Sequence, residues 1–435
     1  MTAIAAGDAA RTARGRAQRL DAQVIVVGGG PGGAACAWAL AREGLDVVVL
    51  DRARFPRDKP CGEYLSPQAS RYLAEMGVLE RVEGAGAAQL AGMIVRAPSG
   101  AEIHGRFAAE HGFRGFRDRG LALRRRALDP ILLDAARGAG ARVAEGVKVT
   151  GIATDDGGRV CGVHVADPDG RGERRLSAAL VVGADGLRSV VARRLGLARS
   201  ARWPRRVALV THYRGVAGLG EVGEMHVEPG GYLGIAPLGD GLANVAVVVP
   251  VSRGRQIAGD PAGFLAAWIA RRPHLVPRFE GAARISPVMA TGPFASSVRR
   301  AWAPGAALVG DAADFFDPFT GEGIYAAMRG AELLAPLAAD AARAVDAGRA
   351  RTRAALTADR ALAEYERRRR AEFAGKWTVE RLVSAAVAVP ALMNRAARSL
   401  GRRRDMADLL VGVTGDFVPA REVLRARYVL KLLLS

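Results

Sequence analysis

Residues 23–52 constrain the fold of this chain more than any other segment, because they hold two apolar runs in the order that a βαβ unit requires. Residues 24–27 form a continuous β-branched run, which is typical of a strand buried on both faces. Residues 34–42 are mostly strong helix formers, and residues 47–50 form a second apolar run. This order predicts a parallel sheet with crossover helices.

Three glycines with the spacing G-x-G-x-x-G join the first strand to the helix. Gly28 permits a tight turn, Gly30 lets a diphosphate approach the backbone, and Gly33 lets the helix pack against the strand. The helix N-terminus would point its free N–H groups at that diphosphate. Asp51 closes the second strand, where a carboxylate can accept hydrogen bonds from a ribose. The unit therefore predicts dinucleotide binding.

A second match to the glycine spacing lies at Gly218, Gly220 and Gly223. The run before it is interrupted by Gly215, and no helix-forming segment follows it. This region therefore favours β-turns, and we do not expect a second dinucleotide-binding domain.

The chain has 435 residues and a formal net charge of +19, and nearly all of its basic residues are arginines. Such a positive field favours acidic partners, anionic lipid surfaces and phosphorylated cofactors. No motif supports nucleic-acid binding, so we expect no nucleic-acid partner.

Three scattered cysteines, Cys36, Cys61 and Cys161, lack the spacing of a disulfide framework or a zinc site. We therefore expect no metal and a reducing, cytoplasmic location. No apolar stretch of the sequence reaches the length that spans a bilayer. Residues 1–20 carry four arginines without the apolar core of a secretory signal. They predict a disordered leader, with a transit peptide as the alternative.

The loop at residues 55–67 carries the first specific resemblance to a known family. Prolines and a glycine indicate a fixed loop. Its Lys59, Cys61 and Gly62, following the dinucleotide-binding unit, resemble the loop of the geranylgeranyl-reductase branch of FAD-dependent oxidoreductases. In that branch the loop lies alongside the flavin, so the resemblance implies FAD as the cofactor. Cys61 could face the flavin or the substrate, or it could be a small apolar side chain in a turn.

Residues 121–129 pass from a short strand into a helix and resemble a second segment of these flavoenzymes. In that group an arginine four residues before an aspartate reaches the cofactor's phosphate or ribose. This register selects Arg125, four residues before Asp129, although Arg124 and Arg126 are each one position away.

Within residues 180–189, an apolar run leads into Asp185 and Gly186. The segment resembles the Asp-Gly motif of single-Rossmann flavoprotein monooxygenases and reductases, in which the aspartate lies behind the diphosphate. Taken alone, the same residues could form an ordinary strand, turn and helix with an aspartate cap.

A third motif joins an apolar strand ending in Gly310 and Asp311 to a helix at residues 324–341. It resembles the Gly-Asp motif of the same superfamily, where the aspartate bonds a ribityl hydroxyl and the helix N-terminus stabilises the reduced flavin. The loop before the helix, with Pro318, Gly321, Gly323 and Ile324, is closer to the reductase branch than to aromatic hydroxylases.

Residues 207–249 alternate and carry glycine turns, so they predict an antiparallel sheet over the flavin. Residues 229–237 match the spacing of the reductase motif Pro-x-x-Tyr-x-Trp-x-Phe-Pro and keep its tyrosine as Tyr232. Gly234 and Ala236 stand where the motif has its two other aromatic residues, which widens the predicted substrate pocket. The Trp-x-Trp-x-Ile-Pro signature of flavin halogenases is absent from the sequence, which argues against halogenation.

The predicted fold is an α/β, Rossmann-like FAD-binding domain of the split, glutathione-reductase type, with an inserted antiparallel substrate sheet and a helical tail. The expected units are the leader at 1–20, the FAD-binding domain at 21–88, 119–198 and 296–345, the substrate domain at 89–118 and 199–295, and the tail at 346–435. The predicted cofactor contacts are Gly28, Gly30, Pro31, Gly33, Asp51, Arg52, Lys59, Cys61, Gly62, Arg125, Asp185, Gly186, Gly310, Asp311, Pro318, Gly321, Gly323 and Ile324.

The resemblance implies an FAD-dependent oxidoreductase with NAD(P)H as a transient electron donor and a hydrophobic small-molecule substrate. We expect oxygenation with O2 in preference to reduction of an isoprenoid double bond, because the two lost aromatic side chains would line a prenyl groove. A non-enzymatic flavin-binding role is a minor alternative. Spacing alone names no catalytic base, and His212, His226 and Tyr232 are more typical of structural residues.

The tail has an amphipathic helical pattern with arginine clusters at residues 367–370 and 402–404. Solvated helix faces are the simpler interpretation of this pattern. Peripheral docking on an anionic membrane is the alternative.

Overall fold

A computed structural model describes residues 21–167, 171–200, 203, 205–346 and 351–433. The leader predicted at 1–20 lies outside the described residues. The predicted α/β class is confirmed, because a parallel sheet with crossover helices and an antiparallel sheet form the two layers around the main cavity.

The strands of the described residues are, in chain order, β1 (Ala22–Val27), β2 (Val47–Asp51), β3 (Tyr64–Leu65), β4 (Ala88–Leu90), β5 (Gly92–Arg96), β6 (Glu102–Arg106), β7 (Gly120–Ala122), β8 (Arg142–Glu145), β9 (Val149–Thr154), β10 (Val160–Ala166), β11 (Glu173–Gly183), β12 (Ala198–Ser200), β13 (Arg206–Arg214), β14 (Val222–Glu228), β15 (Gly231–Gly239), β16 (Leu242–Pro250), β17 (Ala283–Arg284), β18 (Met289–Thr291), β19 (Ser296–Val298), β20 (Trp302–Ala303) and β21 (Ala306–Leu308).

The α-helices of the described residues are α1 (Pro31–Arg42), α2 (Ala69–Glu75), α3 (Leu79–Gly84), α4 (Arg125–Gly138), α5 (Val190–Arg194), α6 (Gly254–Gly259), α7 (Pro261–Ala270), α8 (Val276–Phe279), α9 (Gly323–Asp346), α10 (Arg351–Ala388), α11 (Pro390–Gly401), α12 (Arg404–Thr414), α13 (Arg421–Leu424) and α14 (Ala426–Leu433).

The cofactor side of the molecule is a sheet with the strand order β20-β21-β11-β1-β2-β8. Its strands β21, β11, β1, β2 and β8 are parallel, and β20 is antiparallel to β21. Because the carboxyl ends of parallel strands share one edge, the segments that follow β1, β11 and β21 meet there. These three segments carry the three motifs that the sequence analysis found far apart in the chain.

Helices α1 and α9 cross closely above this edge, and small residues permit the crossing. A Cβ on Gly32 would lie 3.2 Å from the Ala327 Cβ, and one on Gly310 would lie 3.0 Å from it. Within the βαβ unit, a Cβ on Gly33 would lie 1.8 Å from the Gly28 carbonyl oxygen. The third glycine of the motif therefore sets the distance between helix and strand, as its position predicted.

The substrate side is an antiparallel sheet with the order β17-β13-β16-β15-β14-β5-β6, in which only the β14–β5 pair is parallel among the paired strands described. Along β15, Leu233 and Ile235 are buried in a core that also holds residues of α6 and α7. Tyr232, Gly234 and Ala236 lie on the opposite face, because side chains alternate along a strand.

The tail packs over the antiparallel sheet and belongs to its core. Met393 and Val413 are buried in one cluster with Val210 and Tyr232 of the sheet. Gly105 on β6 lies so close to α12 that a Cβ there would be 2.7 Å from the Val411 Cβ. The tail therefore covers the substrate sheet along much of its length.

The first arginine cluster of the tail is engaged in ion pairs within the protein. Arg367 and Arg368 both pair with Glu364, Arg370 pairs with Glu366, and Arg369 is buried against Asp314. These pairs do not support the membrane contact suggested by the sequence. In the described part of the chain, no helix combines the length and the apolar character needed to cross a bilayer.

We expect Gly33→Ala to lower the stability of the protein, because the new methyl group would collide with the Gly28 carbonyl oxygen. Overpacking of this kind costs about 1–3 kcal/mol. The matched control is Gly138→Ala at the end of α4, where a Cβ meets no atom within 4 Å. Thermal unfolding followed by circular dichroism measures both. An equal melting temperature for the two variants would contradict the packing role of Gly33.

Candidate active site

A large cavity lies between the edge of the parallel sheet and the inner face of the antiparallel sheet, with a volume of about 1540 Å³ including its mouth. Residues of both sheets line it, so a cofactor at the strand ends and a substrate on the antiparallel sheet would share one cavity. The predicted residues that line it are Gly30, Pro31, Lys59, Cys61, Gly62, Arg125, Gly186, Tyr232, Gly234, Ala236, Gly310, Asp311, Pro318, Gly321, Gly323 and Ile324.

Five of the predicted cofactor residues lie outside the cavity wall: Gly28, Gly33, Asp51, Arg52 and Asp185. Gly28 and Gly33 are needed for the backbone geometry of the turn. Gly28 has a φ of +105°, and a Cβ on it would lie 2.5 Å from the Ala184 carbonyl oxygen. Arg52 is exposed and remains a prediction without support from the geometry.

The carboxylate of Asp51 is held by two backbone N–H groups. Gly29 N–H donates to Oδ2 at 2.7 Å, and Ala53 N–H donates to Oδ1 at 2.8 Å. Each oxygen keeps a second lone pair. The aspartate thus fixes the glycine turn and retains the capacity to accept from a ribose.

Arg125 is the arginine that reaches the cavity, as the register predicted. Its guanidinium lies 3.5 Å from the position of a Cβ on Gly30, while Arg124 and Arg126 lie beside Asp58. Arg125 is held by Asp129 through bonds of 2.6 and 2.8 Å. Burial acts against its charge, but Asp129 and then Cys61 outweigh burial and raise the pKa of Arg125. A permanent cation therefore faces the diphosphate side of the cavity.

Asp185 supports the start of α5, because Val190 N–H donates to its Oδ2 at 2.6 Å, while the N-cap residue of that helix is Ser189. Its other oxygen, Oδ1, is buried and has no hydrogen-bond partner among the described residues. Burial raises the pKa of Asp185. An unpartnered buried oxygen behind the glycine turn fits a bound group that can donate a hydrogen bond.

Asp311 and Lys59 form the charged floor of the cavity. Burial raises the pKa of Asp311, while Lys59 and Arg125 act in the opposite direction. Burial, followed by the Arg125 charge, lowers the pKa of Lys59, and Asp311 opposes both. Lys59 and Arg125 could bind a diphosphate, and the Asp311 carboxylate between them could accept from a neighbouring hydroxyl group.

Helix α9 begins at the cavity, so its free N–H groups and the positive end of its dipole face the cavity. The preceding Gly321 has a φ of +75°, and a Cβ there would lie 2.9 Å from the Tyr64 ring. A larger residue at this position would therefore disturb both the backbone turn and the cavity wall.

Cys61 lines the cavity. The geometry therefore supports the interpretation that Cys61 faces the flavin or the substrate, over that of a small apolar side chain in a turn. Glu63 N–H donates to its Sγ at 3.3 Å, and the Arg125 guanidinium also interacts with the thiol. Asn244 donates to the Cys61 carbonyl oxygen at 2.8 Å. The thiol is thereby held between the cofactor helix α4 and the substrate sheet.

The substrate half of the cavity is mostly apolar, with side chains from strands β4, β5, β13, β14 and β16. Its apolar members include Leu90, Met93, Val210, Met225, Ala246, Val248 and Phe294. A Cβ on Gly234 would lie 3.1 Å from the Met225 Sδ, so a tryptophan there would require Met225 to move. The missing aromatic side chains therefore leave space that Met225 partly fills.

Three residues of the site were missed by the sequence analysis: Glu63, Asn244 and Asp317. Glu63 lies 2.8 Å from His212 Nε2 through its Oε2, and Asp317 accepts from the Tyr232 hydroxyl at 2.7 Å. His212 and Tyr232 are thus fixed by carboxylates, as structural residues would be. Asp317 also pairs with Arg206, which bonds Ser384 of α10, so the tail supports the site directly.

A family model described as an FAD binding domain matches residues 21–348. This chain belongs to the FAD-binding domain family. It is therefore an FAD-dependent oxidoreductase of the superfamily that the motifs indicated, and its cofactor is FAD.

Two curated relatives are similar to this chain over most of its length. Digeranylgeranylglycerophospholipid reductase 2 of Methanopyrus kandleri is 29% identical over 406 residues, which cover 92% of this chain and 94% of that protein. Menaquinone reductase of Mycolicibacterium smegmatis is 32% identical over 336 residues, which cover 73% and 76%.

Solved structures share the fold. A triple mutant of the flavin-dependent brominase Bmp2 has a TM-score of 0.76 at 20% identity, covering 93% of this chain and 98% of that one. A geranylgeranyl bacteriochlorophyll reductase-like protein of Thermoplasma acidophilum has a TM-score of 0.68 at 23% identity, covering 95% and 96%. At such identities the likeness shows the fold alone.

We expect Gly30→Val to abolish FAD binding while the chain stays folded, because the new side chain would enter the cavity where the diphosphate lies. A loss of at least tenfold in affinity, about 1.4 kcal/mol, is the expected result. Gly220→Val is the control, because a Cβ there meets no atom within 4 Å. Flavin content and FAD titration measure the effect, and a fully flavinated Gly30→Val protein would contradict the site.

Proposed function

We propose that this flavoenzyme reduces carbon–carbon double bonds of an isoprenoid substrate, with Cys61 as the proton donor and a reduced nicotinamide as the electron source. The carrying observation is the Cys61 thiol in the cavity wall, between the Glu63 N–H and the Arg125 guanidinium. A thiol on the wall of an apolar cavity is placed to protonate a carbon of a substrate bound there.

Bound FAD, once reduced, supplies the hydride for one carbon of the double bond. Cys61 supplies the proton for the other carbon, so the product gains two hydrogen atoms and the sulfur becomes a thiolate. Arg125 and the Glu63 N–H stabilise that thiolate until it takes a proton from water. The net change is one double bond reduced and one nicotinamide oxidised.

The apolar substrate half of the cavity supports this proposal, because an isoprenoid chain offers no polar group to bind along its length. The curated relatives support it as well, since both are named as reductases, one of a digeranylgeranyl lipid and one of menaquinone. The covering tail would exclude water from the chain and protect the hydride.

Oxygenation, which the sequence analysis preferred, is the second candidate. Gly234 and Ala236 favour it, because they open the cavity wall where a prenyl groove would be lined by aromatic rings. A wider pocket admits a ring-bearing substrate, and NAD(P)H with O2 would then be the co-reactants.

Strictly anaerobic single turnover separates these two reactions. We expect photoreduced enzyme to be reoxidised by a geranylgeranyl lipid or a menaquinone without O2, and the product to gain two mass units per double bond. Reoxidation that requires O2 and places oxygen in the product would overturn the reductase proposal. Stopped-flow flavin absorbance and mass spectrometry supply the two readouts.

Cys61→Ser should lower the rate of this anaerobic step by about 10²–10⁴, because a serine hydroxyl is a far weaker acid than a thiol. FAD content should stay unchanged, since the Cys61 carbonyl contact with Asn244 is retained. Cys161→Ser is the control, because Cys161 lies on β10 beside Arg175, away from the cavity. Equal rates for the two variants would remove Cys61 from the proton transfer.

We expect Ala236→Phe to raise the KM for the substrate by about tenfold and to leave FAD affinity unchanged, because the ring would occupy the apolar wall of the cavity. Unaltered KM would mean that this strand does not contact the substrate.

A further inference from the structure

The half-buried side chain of Met93, on β5, lies at one end of the substrate half of the cavity. The antiparallel sheet lines this half with residues of β13, β16, β15, β14 and β5, and no described residue of β6 lines it. The thioether of Met93 reaches over the neighbouring strand, since a Cβ on Gly223 of β14 would lie 2.6 Å from its Sδ. Within this sheet, Met93 is therefore the outermost wall residue on the β6 side.

A small apolar core closes the cavity behind Met93. Met93 packs against a cluster that includes Leu90, Phe107 and Val411, each of which is at most 4% exposed. Val411 belongs to α12, so the tail contributes to this core from outside the sheet. A ligand chain that reaches Met93 therefore meets a packed apolar wall.

The floor that leads to Met93 is made of residues with short side chains. Gly223 of β14, Gly234 of β15 and Ala246 of β16 all line the cavity, and Gly234 is paired with Ala246. Neighbouring strands lie about 4.8 Å apart, so the four strand spacings from β13 to β5 span about 19 Å. An extended apolar chain can cross the strands along this floor in contact with backbone and methyl groups.

A closed apolar end gives the cavity a length limit. Each methylene group that a chain buries raises its affinity roughly fourfold. The gain stops when the end of the chain reaches the wall, because further carbons find no space in a close-packed core. The side chain of methionine is unbranched and flexible, so it fills such an end without a polar contact.

We propose that Met93 is a specificity-determining residue that sets the longest apolar chain the cavity accepts, with the end of the chain against its thioether and the chain lying across β14, β15 and β16. The identity of that chain as an isoprenoid rests on the proposed reductase function. The length limit is a property of the cavity and can be measured without any reduction.

A series of straight-chain saturated alcohols of increasing length tests the limit, because these chains have no double bond to reduce. Their binding to the FAD-loaded protein, with delivery from cyclodextrin, is measured by calorimetry. We expect the affinity to rise roughly fourfold with each added carbon and to level off at one length. Met93→Ala should extend that length by about three carbons, since it removes Cγ, Sδ and Cε from the wall.

Met225→Ala is the matched control, because Met225 is another half-buried methionine of the same cavity and lies over Gly234 in the middle of the floor. It should leave the length limit unchanged. Met93→Leu, which nearly conserves the volume, should keep the limit within about one carbon of wild type. A wild-type affinity that never levels off, a limit that Met93→Ala does not move, or an equal shift in Met225→Ala would overturn the proposal.

Anaerobic turnover of isoprenoids of graded length supplies the second readout. For the first homologue beyond the wild-type limit, we expect Met93→Ala to raise kcat/KM at least fourfold, the gain of one buried methylene group. If neither protein reduces any isoprenoid, the reductase function fails, while the alcohol series still decides the role of Met93. If both reduce isoprenoids with the same dependence on length, the role of Met93 fails and the reductase function stands.

Discussion

The site depends on the meeting of three parallel strand ends. Strands β1, β11 and β21 are neighbours in one sheet, so Gly28, Ala184 and Gly310 follow one another along its edge. Each strand leads into a different part of the predicted FAD site: a glycine turn after β1, Asp185 after β11 and the partly buried Asp311 after β21. The backbone hydrogen bonds of the parallel strands bring the three segments together.

Helices α1 and α9 both begin at that edge, and the methyl group of Ala327 limits the distance between them. Ala327 of α9 contacts the positions of Gly32 and Gly310, so α1 and α9 approach as closely as backbones allow. Their two N-termini face one cavity and add their dipoles to the charges of Arg125 and Lys59. The cavity is therefore positive on its cofactor side and apolar on its substrate side, which sorts the two ligands by their chemistry.

The parts of this site that could be read from the sequence are those in which local spacing determines geometry. Gly28 and Gly33 are an example, because a strand, a tight turn and a helix leave only one arrangement for them. Arg125 was also found, because the segment resembles one of these flavoenzymes in which the arginine stands four residues before an aspartate, here Asp129. Glu63, Asn244 and Asp317 could not be found in this way. Their partners are more than 60 residues distant in most cases, and an isolated glutamate after a Cys-Gly pair carries no spacing that predicts a histidine on a distant strand.

Asp317 is connected to the tail through Arg206, which bonds both Asp317 and Ser384 of α10. The tail is therefore part of the support of the site. Arg206, Asp317, Tyr232 and Ser384 are all buried and join the substrate sheet, the flavin-facing loop and α10. Without the tail, the antiparallel sheet would expose this ionic group to solvent, and Arg206 would lose its Ser384 partner. A change in α10 at Ser384 would therefore reach the cavity wall at Tyr232 through Arg206 and Asp317, although no described residue of the tail lines the cavity itself.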